Sequence, residues 1–372
     1  MRRNTFSLIL CVFMALSFAC GCQRGENTER VVTGDMPAEN CLERLKQCGA
    51  KLDYHDNGNL KSISLVGIEM DDVALSGLGQ CKTLESIVFA SHEKPNEKVT
   101  NAAIVSLSGI ATLKTLDVCG TTVTSDVLPQ LKNMKALSQL KMSGKLSGDG
   151  LKVLSSQFPA LMTIAFDRSD IGDDDLAEIA KVKKLVGLFL SYTNVTDKGL
   201  PHLVSLSNLK NIRLSNTAVT DEGVKSLVSL KALVQLDLSN TSVGDAALAT
   251  LSEMTQLERL NLYMTQVTDA GVDSLMTLVN LNWLNLDACR IGDVSVPKLA
   301  TLKKLMFLHL GSTDVSDACI ETLKTMSHVK ELYVTRTKIT RQGAESLVAS
   351  LPQDCNVYVD KVVDEETDDA LQ

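Results

Sequence analysis

Leucines return every 24 residues through most of this chain. With each unit started at its first apolar residue, the units open at Leu60, Leu84, Leu113, Leu137, Leu161, Leu185, Leu209, Leu233, Leu257, Leu281, Leu305 and Val329. One interval, Leu84 to Leu113, is 29 residues long, and its extra residues fall around HEKPNEK, a surface loop by composition. A fixed period of this size means a stack of small units, each unable to bury its apolar side alone and each completed by its neighbours.

The unit reads L-x-x-L-x-L-x-x-T-x-V-T-D-x-G-L-x-x-L-x-x-L-x-x, and it mixes two periods. The fourth and sixth residues fall on one side of an extended chain, which is strand spacing. The later apolar residues, such as Val224, Leu227 and Leu230, recur every three residues, which predicts a helix. Each unit is therefore expected to be a short strand, a turn and a helix. Aromatics make up only 4% of the chain, as suits a core of interchangeable aliphatic side chains.

The pattern resembles the leucine-rich repeat family over residues 60–352, twelve units. It is most similar to the short, helix-bearing repeats of ribonuclease inhibitor and of F-box protein arms, and its Thr-Asp-x-Gly-Leu variant is similar to repeats of bacterial secreted and surface proteins. The resemblance implies an α/β solenoid, a horseshoe with a parallel sheet on the concave face and helices on the convex face. It also implies protein recognition rather than catalysis.

The flanks read as covers and address. Residues 37–59 predict a capping helix (PAENCLERLKQC) and a hairpin turning at Asn57-Gly58. Residues 353–372 predict a closing strand at Asn356–Val359 and an acidic tail. Residues 1–22 carry Arg2 and Arg3, a short apolar run and a small-residue junction, FACGC, the layout of an export signal. That junction resembles the lipobox of bacterial lipoproteins, which makes Cys20 or Cys22 the expected lipidation site and the cell envelope the expected location. Residues 23–36 are polar and read as a tether. Seven cysteines lie beyond the signal, an odd number with no CxxC pair, so free thiols are expected, with Cys48 and Cys81 as possible stacked neighbours.

Three columns of the repeat look chemical but have simpler explanations. The ninth position is mostly Thr, as at Thr193, Thr217 and Thr241, and is expected to turn inward and bond the backbone of the adjacent unit. The thirteenth is mostly Asp, as at Asp197, Asp221 and Asp245, and follows Thr or Gly, so it reads as a helix start with its carboxylate on the positive end of the helix dipole. The fifteenth is often Gly, as at Gly199, Gly223, Gly271 and Gly343, which suits close packing. The five histidines are scattered, and neither HExxH nor GxSxG occurs. No catalytic group, metal site or cofactor is expected.

Function is expected where the repetition breaks, on side chains facing the concavity. The later units place Phe189, Arg213, Asp237, Arg259, Asn261, Tyr263, Trp283, Asn285, Asp287, Phe307, His309 and Tyr333 there. Aromatics with Arg are what binding hot spots are made of. A protein partner is the first expectation and a glycan or cell-wall polymer the second. A ubiquitin-ligase arm is the remote third, since a signal segment and no F-box precedes the repeats. The net charge of -8 argues against nucleic acid and against anionic lipid as main partners, leaving membrane attachment to the lipid anchor alone.

Overall fold

The computed structural model describes residues 38–360. The expected signal, both lipidation candidates, the tether and the acidic tail beyond Asp360 lie outside the described residues. The described residues fall within one compact unit, and the core described below belongs to it.

The first unit contributes the five-residue strand Leu60–Ser64 and each later unit three residues, with the middle one inward. In Asn211–Arg213, Ile212 is buried while Asn211 and Arg213 face out. Fourteen strands form one sheet in sequence order. All pair in parallel except Lys51–Tyr54, which runs antiparallel to Leu60–Ser64 and forms the expected hairpin. The turn sits where the sequence placed it: Gly58 adopts φ +83°, a conformation open to glycine, and the Asn57 side chain accepts from the Asn59 amide at 3.1 Å. At the other end Asn356–Tyr358 closes the sheet against Glu331–Tyr333.

Returning segments pack on the opposite side of the sheet. Some are α-helical, as Asp221–Leu227 and Asp245–Leu251 are. Others, including Ser125–Gln130, Asp149–Val153 and Leu200–Ser205, are tighter 3₁₀ turns. Between sheet and helices runs one continuous core of Leu, Ile and Val from Cys41 to Leu351.

Two columns behave differently from expectation. The ninth-position hydroxyl does not reach the adjacent unit. Thr217 donates to the carbonyl of Leu214 at 2.6 Å, and Thr241 donates to Leu238 at 2.6 Å, each within its own unit. The cause is the eighth residue: Asn216 (φ +56°) and Asn240 (φ +50°) are left-handed and fold the chain back on itself. Among the described residues, Cys289 in the same column does reach the preceding unit: its Sγ donates to the Leu262 carbonyl at 3.1 Å and lies 3.5 Å from Thr265 Oγ1.

The thirteenth-position aspartate, by contrast, does bridge units. Thr220 caps its helix as expected, accepting from the Glu222 amide at 3.3 Å. Asp197, one unit earlier, accepts from the Thr220 amide at 2.8 Å and from its hydroxyl at 2.6 Å. Asp173 serves Thr196, Asp245 serves Thr268, Asp293 serves Ser316 and Asp317 serves Thr340 in the same way, while Asp221 and Asp269 serve the amides of Gly244 and Gly292. The ladder lies against the glycine column. A Cβ on Gly223 would stand 2.3 Å from Asp197 Oδ1, so a side chain there makes the carboxylate shift, as it does where Ser295 and Cys319 hold the same position beside the still-bridging Asp269 and Asp293.

The cysteine expectation also changes. Cys48 is exposed, and the buried neighbour of Cys81 is Cys41, whose thiol is pushed up to about 11 by burial and then by Cys81.

Candidate functional site

The twelve expected site residues all lie along the outward face of strands Gly187–Phe189 to Glu331–Tyr333 or at their ends. Parallel register stacks them in columns: Arg259 beside Trp283 beside Phe307, and Asn261 beside Asn285 beside His309 beside Tyr333.

The first column is packed tightly. Trp283 and Phe307 stack with ring centroids 4.6 Å apart and planes 12° apart. The Arg259 guanidinium covers the other face of Trp283 at 4.8 Å. The aromatic row then crosses to the second column. Phe307 tilts against Tyr333, which is sandwiched between His309 (4.6 Å) and Tyr358 (4.0 Å), both nearly parallel to it. Stacked in this way, the inner rings spend their faces on each other and turn their edges outward. Tyr358, on the last strand and 40% exposed, ends the row.

Sequence reasoning missed Tyr358 as a site residue because the last unit is one residue longer than the frame: Tyr333 pairs with Tyr358, not with a residue 24 positions on. Tyr263 is placed on the same face but takes no part in the ring stack.

The polar members of the second column have a task in the scaffold. Asp237 accepts from the Ser239 amide at 3.0 Å, Asn261 from Tyr263 at 3.2 Å, Asn285 from Asp287 at 2.9 Å, and His309 through Nδ1 from Gly311 at 3.2 Å. Each ties off the amide two residues on, where the strand turns away. That bond makes Nε2 the protonated nitrogen of neutral His309, 3.9 Å from Asp287 Oδ2. Burial pushes the His309 imidazole below its usual range; Asp287 opposes this and Arg336 reinforces it. Asp287 itself is 6% exposed, and its Oδ1 is buried without a hydrogen-bond partner. Burial, with Tyr358 and Glu331 nearby, likewise raises the Tyr333 phenol well above its usual range.

Upstream, Arg213 lies over the Phe189 ring at 5.0 Å, between Asp167 at 3.6 Å and Asp237 at 3.7 Å. A groove opens between Phe189, Arg213, Asp237, Arg259 and Trp283. Arranged in this way, the face offers apolar edges, two guanidiniums and a half-shielded carboxylate, a surface for recognition. Among the described residues no three His, Cys, Asp or Glu side chains converge as a metal site would require.

The family model described as Leucine Rich repeat matches residues 205–228, one period of the frame. The solved internalin inlF from Listeria monocytogenes is 18% identical, covers 89% of this chain and 95% of its own, and superposes with a TM-score of 0.58. The fold is an α/β leucine-rich repeat solenoid. The solved internalin C2 from the same organism is 23% identical over 54% of this chain and 81% of its own, with a TM-score of 0.45. No protein of curated function matches the sequence. At 18% identity the likeness to inlF extends to the solenoid fold alone, and the side chains on the sheet face are this chain's own.

Proposed function

We propose that this leucine-rich repeat solenoid is a non-catalytic scaffold of the bacterial cell envelope, exported and lipid-anchored through Cys20 or Cys22. It binds a protein partner on the sheet face between Phe189 and Tyr358. The observation that carries this reading is the row Arg259, Trp283, Phe307, Tyr333 and Tyr358, already stacked before any partner arrives. Rings held this way lose little side-chain freedom on binding, and aromatic and Arg anchors dominate protein interfaces.

The same stacking weighs against the glycan alternative. Sugar rings pack on open aromatic faces, and here both faces of Trp283 and of Tyr333 are covered. Within the stacked row, among the described residues, the outer side of Tyr358 on the edge strand is the one not lined by a further strand.

Crosslinking in the native envelope followed by mass spectrometry tests the proposal. A protein captured by the wild type and lost with Trp283→Ala/Phe307→Ala supports it. Identical captures by both chains would reject this face. Selective retention of the wild type on a glycan array, with no captured protein, would move the reading to the alternative.

A further inference from the structure

The net charge of -8 averages over a surface that the fold sorts. Each unit turns from helix to strand at one rim of the ribbon and from strand to helix at the other. Five consecutive helix-to-strand corners, residues 131–136, 157–162, 181–186, 205–210 and 229–234, contain no Asp or Glu. They carry Lys132, Lys135, Lys183, Lys184, Lys210 and Lys231, all exposed. Lys181 stands here too but is paired with Glu178 at 2.7 Å. Over the same units the opposite rim carries Asp167, Asp170, Asp173, Asp197, Asp221 and Glu222.

Part of this is structural. Lys183 donates to the Ala180 carbonyl at 2.8 Å and Lys135 to the Gln157 carbonyl at 3.1 Å, where cations complement the carbonyl ends of helical turns. Lys132, Lys210 and Lys231 have no side-chain partner of this kind among the described residues, and helix capping does not account for five corners without an acid.

The rim is level. Gln139, Thr163, Gly187, Asn211 and Gln235 pair in one line without a shift. Bonds also run from corner to corner: Lys184 Nζ donates to the Pro159 carbonyl at 3.0 Å, and Asn208 Nδ2 to the Lys183 carbonyl at 3.1 Å. With strands about 4.8 Å apart, the row spans roughly 20 Å. The chain from Lys210 to Ser215 is largely extended, so the acidic rim begins roughly 17 Å away at about 3.3 Å per residue. The Debye length is about 10 Å at 0.1 M salt, so the acidic rim does not cancel the basic one.

We infer that this basic rim docks on an anionic bilayer surface. A level row of six cations matches a charged plane. Met162, 45% exposed in the same rim, adds apolar surface of the kind interfacial contacts use. The sheet face would then stand away from the lipid and stay open to a partner. The inference rests on charge and register and holds with or without a lipid anchor. It reverses what net charge implied about anionic lipid.

Sedimentation of residues 36–372 with vesicles tests it. One set is phosphatidylcholine alone and the other contains about one-third phosphatidylglycerol, an anionic fraction ample for polybasic binding. At low salt the protein is expected to pellet with the anionic vesicles only, and to be released at high salt. Each lysine near such a surface strengthens binding about fivefold, so Lys132→Gln/Lys210→Gln/Lys231→Gln should weaken partitioning about a hundredfold. Lys145→Gln/Lys198→Gln, on the other rim, should leave it unchanged, and thermal melts monitor the fold of both variants. No preference for anionic vesicles, equal loss in both variants, or binding to soluble polyphosphate with none to vesicles would each overturn the inference.

Discussion

Asp287 and Arg336 are 49 residues apart in sequence, and their side chains meet at 3.4 Å across two repeat units. The carboxylate is largely buried and the guanidinium largely exposed, so the arginine is the polar partner that comes to Asp287 from the surface. The other carboxylate oxygen, Oδ1, has none.

Removing the arginine should therefore hurt more than neutralising the acid. Arg336→Ala is expected to cost about 1–2 kcal/mol, because it leaves a buried carboxylate worse served. Asp287→Asn should cost less, and Asp287→Asn/Arg336→Ala should recover part of the Arg336→Ala loss. Urea unfolding midpoints of the three variants measure this, and strictly additive losses would show that the two side chains are not coupled.

His309 should make stability depend on pH. Its folded pKa is depressed, chiefly by burial, so the unfolded chain takes up the proton more readily. Stability is then full above the unfolded value of about 6.5 and declines as pH falls through it. His328 is depressed in the same direction, also by burial, and adds to the slope. His309→Asn keeps the acceptor for the Gly311 amide, as Asn261 and Asn285 do for theirs, and should flatten part of the slope. An unchanged slope would remove His309 from the account.

The Asp ladder and the glycine column should behave as one device. Asp197→Ala removes two hydrogen bonds to a charged acceptor and should cost about 1.5–3 kcal/mol. Gly223→Ala should cost about 1–3 kcal/mol by overpacking against the same carboxylate. In the double variant the added methyl no longer meets the carboxylate, so its cost should fall below the sum. A double variant whose loss equals the sum of the two single losses would contradict the geometry.

Eight consecutive units hold a non-glycine residue at φ between +50° and +57° before the strand turns away, Ala288 at +57° among them. Ala288→Val should cost about 1–2 kcal/mol or more, since a β-branched side chain is poorly accommodated there. Ala288→Gly should be neutral or slightly stabilising. Thermal melts of the pair separate conformational strain from loss of contacts.

What the sequence disclosed follows from what periodicity can carry. Leu209, Ile212 and Leu214 recur in frame, and a frame predicts strand, core and sheet order. Partners across units are a different matter. A carboxylate beside a helix start looks the same whether it caps its own helix or reaches for the next unit, and Asp197 does the latter. The polar column of Asp237, Asn261, Asn285 and His309 looked free for a ligand because the amides it serves lie two residues away, at a turn whose shape the pattern does not specify. Tyr358 escaped because one extra residue precedes the last strand. The basic rim escaped because a sum of charges has no geography.

The Asp ladder also has a direction. The bridging carboxylates of the thirteenth position reach forward, to the unit that follows, whereas Asp170, at the tenth, reaches back to the amides of Leu146 and Ser147. The last unit has no following unit, since the chain passes instead into Asn356–Tyr358, and at the thirteenth position of that unit the sequence places Arg341. The stack thus behaves like a polymer with one growing end. The forward carboxylate is missing at that end, as it also is at Ser125 within the stack, so strand pairing through Asn356–Tyr358 is what closes the sheet there.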